Sequence, residues 1–220
     1  MKYLRLMSLI GLQFLGLIGC SSDDKQIETA KTAEYTYASD VTRIEIPVSD
    51  AIMPDGILAI GEWDNAARLP IALDSAHTVD LLFSHDGSHL QFAFTPLSWD
   101  GQEFYPELLI DINSDGDSLW GADHFWFHAS YQDCDGVGEY DQWKCAVIRN
   151  GWTANNFPLS EPGLVEIRVS FEKLGLERNR TASIGLAVAL RDREGVRYYW
   201  PAGSSIDLPA SWGNAALSGL

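Results

Sequence analysis

From about residue 42 onward, apolar and polar positions alternate with a period of two, the spacing of strands with one buried face. Val79-Asp80-Leu81-Leu82-Phe83 runs through His85-Asp86-Gly87-Ser88 into Leu90-Gln91-Phe92-Ala93-Phe94. Two such runs around an Asp-Gly turn predict a β-hairpin. Leu108 to Ile112, Phe125 to Tyr131, Tyr140 to Ile148, Val165 to Phe171 and Ile184 to Leu190 predict further strands. In the last two, Val165, Ile167, Val169 and Phe171 share one side, as do Ile184, Leu186, Val188 and Leu190. Helical spacing is nearly absent, with single short turns expected at Glu62 to Arg68 and Glu172 to Leu176. Many short strands punctuated by Gly and Asp turns predict an all-β fold, a single antiparallel β-sandwich of jelly-roll type. No internal repeat or second-domain linker interrupts it.

The N-terminal region follows a different pattern. Lys2 and Arg5 precede an apolar run from Leu6 to Ile18 that ends in Gly19-Cys20. At about thirteen residues the run is shorter than the roughly 20 needed to span a bilayer. It resembles a bacterial lipoprotein signal peptide with its lipobox, which implies cleavage before Cys20 and acylation of that cysteine. Residues 20–41 are polar and without periodicity and read as a flexible tether. The expected organisation is therefore a signal peptide over 1–19, an acylated tether over 20–41 and a sandwich over 42–220. Ser21 after the cysteine favours an outer-membrane or cell-surface location, with the membrane reached through the lipid anchor.

Charge narrows the partners. Removing Lys2 and Arg5 from 15 basic residues leaves 13 against 31 acidic ones, a net charge of −18 for the processed chain. Such a surface repels nucleic acid and attracts cations. Cys134 and Cys145 are the two cysteines beyond Cys20. Outside the cytoplasm they can form a disulfide, worth roughly 3 kcal/mol for so short a loop, or remain two thiols.

The sharpest chemical motif is Asp111-Ile112-Asn113-Ser114-Asp115-Gly116-Asp117, with Asp123 following. Alternate oxygen-bearing side chains around a glycine turn suit calcium, which takes six to eight oxygen ligands. The first half resembles an EF-hand loop, but Ala122 stands at the twelfth position where a bidentate Glu is expected. Asp111, Asn113, Asp115, Asp117 and Asp123 are the candidate ligands, and an ordinary Asx-rich turn is the alternative.

Catalytic signatures are absent: no serine sits in a G-x-S-x-G elbow, and no P-loop or G-x-G-x-x-G pattern occurs. A non-catalytic role is expected. His124, Trp126, His128 and Ser130 fall on one strand face, with the two histidines about 13 Å apart, too far to chelate one metal as neighbours. His77, His85 and His89 fall near hairpin ends and read as solvated turn residues. Eight Trp, eight Tyr and nine Phe make aromatic rings the best binding candidates, since their faces stack on sugar C–H groups. Trp99 and Phe104 lie in the segment Pro96 to Tyr105, Trp126 on the histidine-bearing strand, and Trp200 before Pro201. Each has core packing as its alternative.

In order along the chain come Asp55-Gly56-Ile57-Leu58 with Gly61-Glu62-Trp63, the Leu81 to Phe94 hairpin, and Glu107-Leu108-Leu109-Ile110-Asp111 with its acidic loop. Asp123 to Phe127, Val165-Glu166-Ile167 to Leu174-Gly175, Ile184-Gly185 to Arg191-Asp192, Trp200 and Trp212-Gly213-Asn214 follow. This succession resembles family 9 carbohydrate-binding modules over residues 43–217. The resemblance implies a calcium-binding jelly roll that holds a poly- or oligosaccharide. It departs from the family pattern where a sugar-clamping tryptophan would fall, at Gly101, Ile206 and Asp207, and His128 stands where a ligand-binding arginine is expected. The expected function is non-catalytic carbohydrate binding by a cell-envelope lipoprotein. Two alternatives remain: a haem-binding sandwich of the DOMON type, which needs Met53 with His124 or His128 as axial ligands, and a lipoprotein that engages other envelope proteins. Replacing Cys20 by Ser is expected to release the chain from the membrane fraction and abolish metabolic labelling with radioactive palmitate.

Overall fold

The computed structural model describes residues 42–138, 150–155, 163–177 and 183–219. The chain divides into Met1–Thr36 and a compact unit Tyr37–Leu220, and every described residue belongs to the second. The signal peptide, Cys20, the tether, the strand expected at Tyr140 to Ile148 and Cys145 lie outside the described residues.

Fourteen strands are present among the described residues. They are β1 (Arg43–Ile46), β2 (Ala67–Ala72), β3 (Thr78–His85), β4 (His89–Thr95), β5 (Ser98–Trp99), β6 (Gln102–Glu103) and β7 (Tyr105–Asp111). After these come β8 (His124–His128), β9 (Cys134–Val137), β10 (Trp152–Ala154), β11 (Val165–Ser170), β12 (Ser183–Arg191), β13 (Arg197–Trp200) and β14 (Gly213–Leu217). Among the described residues there is one α-helix, α1 (Phe171–Leu174), which follows β11 directly. Ser170 caps it by accepting from the Lys173 amide at 3.1 Å, and Gly175 closes it in the left-handed conformation at φ 68°.

One sheet runs β1-β14-β12-β7-β8-β9, with β13 beside β14 on the same edge of β12; the other runs β10-β11-β4-β3-β2. Pairing is antiparallel except between β1 and β14, which join the two ends of the described domain in parallel. The alternation read from the sequence sets the layers. Leu81, Phe83, Leu90, Phe92, Phe94, Val165, Ile167 and Val169 of one sheet face Leu108, Ile110, Phe125, Phe127, Ile184, Leu186, Val188 and Leu190 of the other in one buried core. The expected hairpin is β3–β4, turned at Gly87 with φ 76°. Asp86 Oδ1 accepts from the amides of Ser88 and His89 at 2.8 Å each, and Arg168 Nη2 donates to the other oxygen at 2.7 Å. Burial opposes charge on Asp86, but the bonds from Ser88 and Arg168 more than offset it and hold the carboxyl well below its ordinary range.

Several local expectations shift. Residues 60–66 form successive turns rather than a helix, leading into β2, and strand β8 ends at His128 rather than Tyr131. His85 is not solvated: it is fully buried, with Nε2 2.8 Å from the Ser218 carbonyl and its ring 6.0 Å from that of Phe171. The cause is β1, whose extension brings Val48 alongside His85 and closes the hairpin end.

The segment Asp55 to Trp63 crosses the outer face of the β10–β2 sheet and is fastened by one carboxylate. Glu166 Oε2 accepts from the amides of Asp55 and Gly56 at 3.0 and 2.9 Å, and Oε1 accepts from Trp63 Nε1 at 3.2 Å. Glu166→Ala leaves these three donors without an acceptor and is expected to destabilise the domain by about 3 kcal/mol in urea denaturation. Phe171→Leu, conserving apolar packing, is expected to lose less.

Candidate functional site

The outer face of the larger sheet carries the candidate chemistry. Alternation along each strand places Tyr105, Glu107, Leu109 and Asp111 of β7 there, with His124, Trp126 and His128 of β8. From β12 come Gly185, Ala187, Ala189 and Arg191, and from β13 Arg197 and Tyr199. Because β12 contributes mostly glycine and alanine, its neighbours can lie across it. Trp120, Tyr199, Ile206 and Trp212 pack against Leu109, Trp126, Cys134 and Ala187, covering the middle of the face. Trp212 Nε1 donates to the Ser205 carbonyl at 2.9 Å, and the Ile206 amide donates to Tyr199 Oη at 3.3 Å. Two polar ends remain, one around Asp111 and the other around Glu107, about 13 Å apart along β7.

At the first end, Asp111, Asp115 and Asp123 each offer a carboxylate oxygen, all within 4.8 Å of one another. Ser114 and Gly116, at φ 52° and 69°, fold the loop back to bring them together. Asn113 Nδ2 donates to Asp115 at 2.8 Å and to Asp123 at 2.7 Å, standing between the two carboxylates as a positive charge would. Asp111 Oδ1 accepts from the amides of Asn113 and Ser114 at 3.2 and 2.9 Å. Burial pushes the Asp111 carboxyl above its ordinary value, with the amide of Ser114 opposing. Asp117 is exposed and outside the group of three; its carbonyl takes the Ala210 amide at 3.0 Å. Gly185 faces Asp111 across the β7–β12 pair, and a Cβ there would come within 2.9 Å of the Asp111 Cβ. Convergent carboxylates, a reversible amide and this cleared space fit a hard cation such as calcium.

At the second end, Glu107 is fully buried yet charged groups surround it. Arg197 donates from Nε to Oε2 at 2.6 Å and from Nη2 to Oε1 at 3.2 Å, while His128 Nδ1 lies 3.2 Å from Oε1. Burial disfavours the Glu107 anion, but His128 and Arg197 more than offset it and leave the carboxyl below its ordinary value. Nearby, Glu103 Oε2 accepts from Tyr105 Oη at 3.1 Å, Tyr131 Oη at 3.3 Å and Arg193 Nη2 at 3.0 Å. Tyr131 is 57% exposed, so this end of the face is open and lined by aromatic rings and charged hydrogen-bonding groups.

The aromatic candidates fall unevenly around this opening. Trp126 lies on the face, 9% exposed and stacked on His128 at 5.7 Å, among apolar neighbours. Trp200 and Phe104 are buried in the core between the sheets. Trp99 sits on the β5–β6 hairpin, its ring stacked against His77 and Phe104 at 4.9 Å each. The haem ligands do not come together: Met53 accepts from Arg168 Nη1 at 3.0 Å on the outer side of the β10–β2 sheet, whereas His124 and His128 occupy the outer side of the other. Sequence reading missed Glu107, Arg197, Tyr105 and Tyr131. The available signal was a glutamate inside the apolar run Glu107 to Ile110.

Two outcomes are expected. Glu107 contributes stability above the ordinary carboxylate range, and that contribution is lost as pH falls through its depressed folded value. Glu107→Gln is therefore expected to reduce the difference in unfolding free energy between pH 7 and pH 3. Adding calcium is expected to raise the melting temperature by about 5 °C, and Asp115→Ala or Gly185→Ala to shrink that shift.

No protein-family model and no curated protein matches the chain. Solved structures do. One is a family 9 carbohydrate-binding module from Caldicellulosiruptor kristjanssonii in complex with cellotriose, at 16% identity and a TM-score of 0.57, over 81% of this chain and 94% of that one. A family 9 module from the same organism in complex with glucose matches at 16% identity and a TM-score of 0.58, over 81% of this chain and 96% of that one. The domain described above has the fold of a family 9 carbohydrate-binding module.

Proposed function

We propose that this chain is a non-catalytic carbohydrate-binding lipoprotein of the bacterial envelope, holding an oligosaccharide on the open end of the larger sheet's outer face. The observation that carries this reading is the buried Glu107 with Arg197 and His128, set in an opening lined by Tyr105 and Tyr131. Sugar recognition uses such a combination: aromatic faces take the C–H surface, and fixed charged groups bind hydroxyls through charge-assisted hydrogen bonds. The structural neighbours named above are complexes with cellotriose and glucose, which supports a saccharide of that general class.

In this reading Asp111, Asp115 and Asp123, with Asn113, hold a calcium ion whose charge neutralises the acidic loop and fixes the far end of the same face. Asp117 keeps to the loop's backbone contact with Ala210. Trp126 supports His128 from beside it, Phe104 and Trp99 support the β5–β6 hairpin next to Tyr105, and Trp200 packs the core. The lipid on Cys20 tethers the domain to the outer membrane or cell surface, and a Cys134–Cys145 bridge closes the segment after β9.

Calorimetry of the full-length chain with cellotriose and a panel of other oligosaccharides, in calcium and in EDTA, tests the proposal. Saccharide binding is expected, weakened about five- to tenfold by Tyr131→Ala, a change at an exposed ring that spares the core. Calcium-dependent stability with no saccharide binding at all would overturn the carbohydrate reading and leave an envelope-protein partner as the function.

A further inference from the structure

The charges around the open end are not all paired, although Asp207 also acts on Arg197 from nearby. Glu107 is matched by Arg197 and Glu103 by Arg193, each at hydrogen-bonding distance. Arg191 lies between them in the sheet, directly across from Tyr105 on β7 and from Arg197 on β13. It has no such partner: among the described residues its guanidinium makes no ion pair or hydrogen bond, and its Nε is buried without an acceptor. The carboxylate next in sequence, Asp192, is taken by the Val196 amide at 2.8 Å, closing the β12–β13 turn.

This arrangement is unfavourable without a ligand. Like charges directly opposite on neighbouring strands repel, and a buried N–H without an acceptor loses its hydration uncompensated. A chain with 31 acidic residues has ample means to neutralise an arginine, yet here it leaves one unmatched beside the proposed saccharide site. Arg191 as a whole is only half-buried, so an incoming anion would accept from its terminal nitrogens rather than from the buried Nε, by a charge-assisted, geometrically directed bond.

We infer that the site selects acidic saccharides, with Arg191 receiving the carboxylate or sulfate of a charged sugar unit while Tyr105 and Tyr131 take its ring. The inference rests on the carbohydrate reading above and names the ligand's class. The overall negative charge does not forbid it, because charges beyond about 8 Å are largely screened at physiological ionic strength.

The test compares three probes of equal length on the full-length chain: a galacturonic acid tetramer, a sulfated neutral tetramer and cellotetraose. At least one acidic tetramer is expected to bind about tenfold more tightly than cellotetraose, and the probe that does so identifies the acid group. The acidic-to-neutral ratio is expected to collapse towards one in Arg191→Gln, to be largely kept in Arg191→Lys, and to fall as salt is raised. Melting temperatures of both variants check folding. Equal affinity for acidic and neutral tetramers, or a preference unchanged in a folded Arg191→Gln, would overturn the inference and leave the carbohydrate reading intact. Failure of all three probes to bind would overturn both.

Discussion

A carboxylate removed from water is expensive unless cations and hydrogen-bond donors replace its hydration, and Glu107 is that group in this domain. Its pairing with Arg197 and its closeness to His128 tie β7 and its neighbour β8 to β13, some 90 residues further along the chain. Remove Arg197 and Glu107 becomes a buried charge without its main compensation. The open end of the outer face therefore has a fixed arrangement of charge, and Tyr105, Tyr131 and Glu103 are arranged around it.

The two faces of the larger sheet divide the work. Its inner face is a continuous apolar layer against the smaller sheet, and that packing provides the rigidity. The outer face is free of that duty only because β12 presents Gly185, Ala187 and Ala189, over which Trp212, Ile206 and Tyr199 can lie. The small residues thus split one sheet face into a covered middle and two polar ends. One end gathers acids that suit a cation, and the other holds a paired carboxylate beside exposed rings. Both are built from alternate residues of β7, so movement of this strand would be felt at both.

Much of the fold was legible. The hairpin from Val79 to Phe94 and the alternating strands around Val165 and Ile184 carry period-two patterns with a buried face, which local sequence displays. Asp100-Gly101 also turns a two-residue hairpin, with both residues at positive φ, but the flanking strands are only two residues long and show no period. The parallel pairing of β1 with β14 was not legible, since it joins segments some 170 residues apart with no local signal. For the site, the acidic loop announced three carboxylates that do converge. Trp200 could not be placed from its neighbours, because its burial follows from the β12–β13 register that sets it opposite Val188. The pairing of Glu107 with Arg197 depends on contacts across 90 residues, so the sequence displayed the odd glutamate without its partner.

The most direct measurement is a crystal structure of the full-length chain with a bound oligosaccharide. The account predicts sugar density at the open end, stacked on Tyr105 or Tyr131 and hydrogen-bonded to Arg197, which the buried Glu107 holds in place. Density instead on the outer face of the β10–β2 sheet, or against the Trp99 hairpin with the Glu107 end empty, would contradict it.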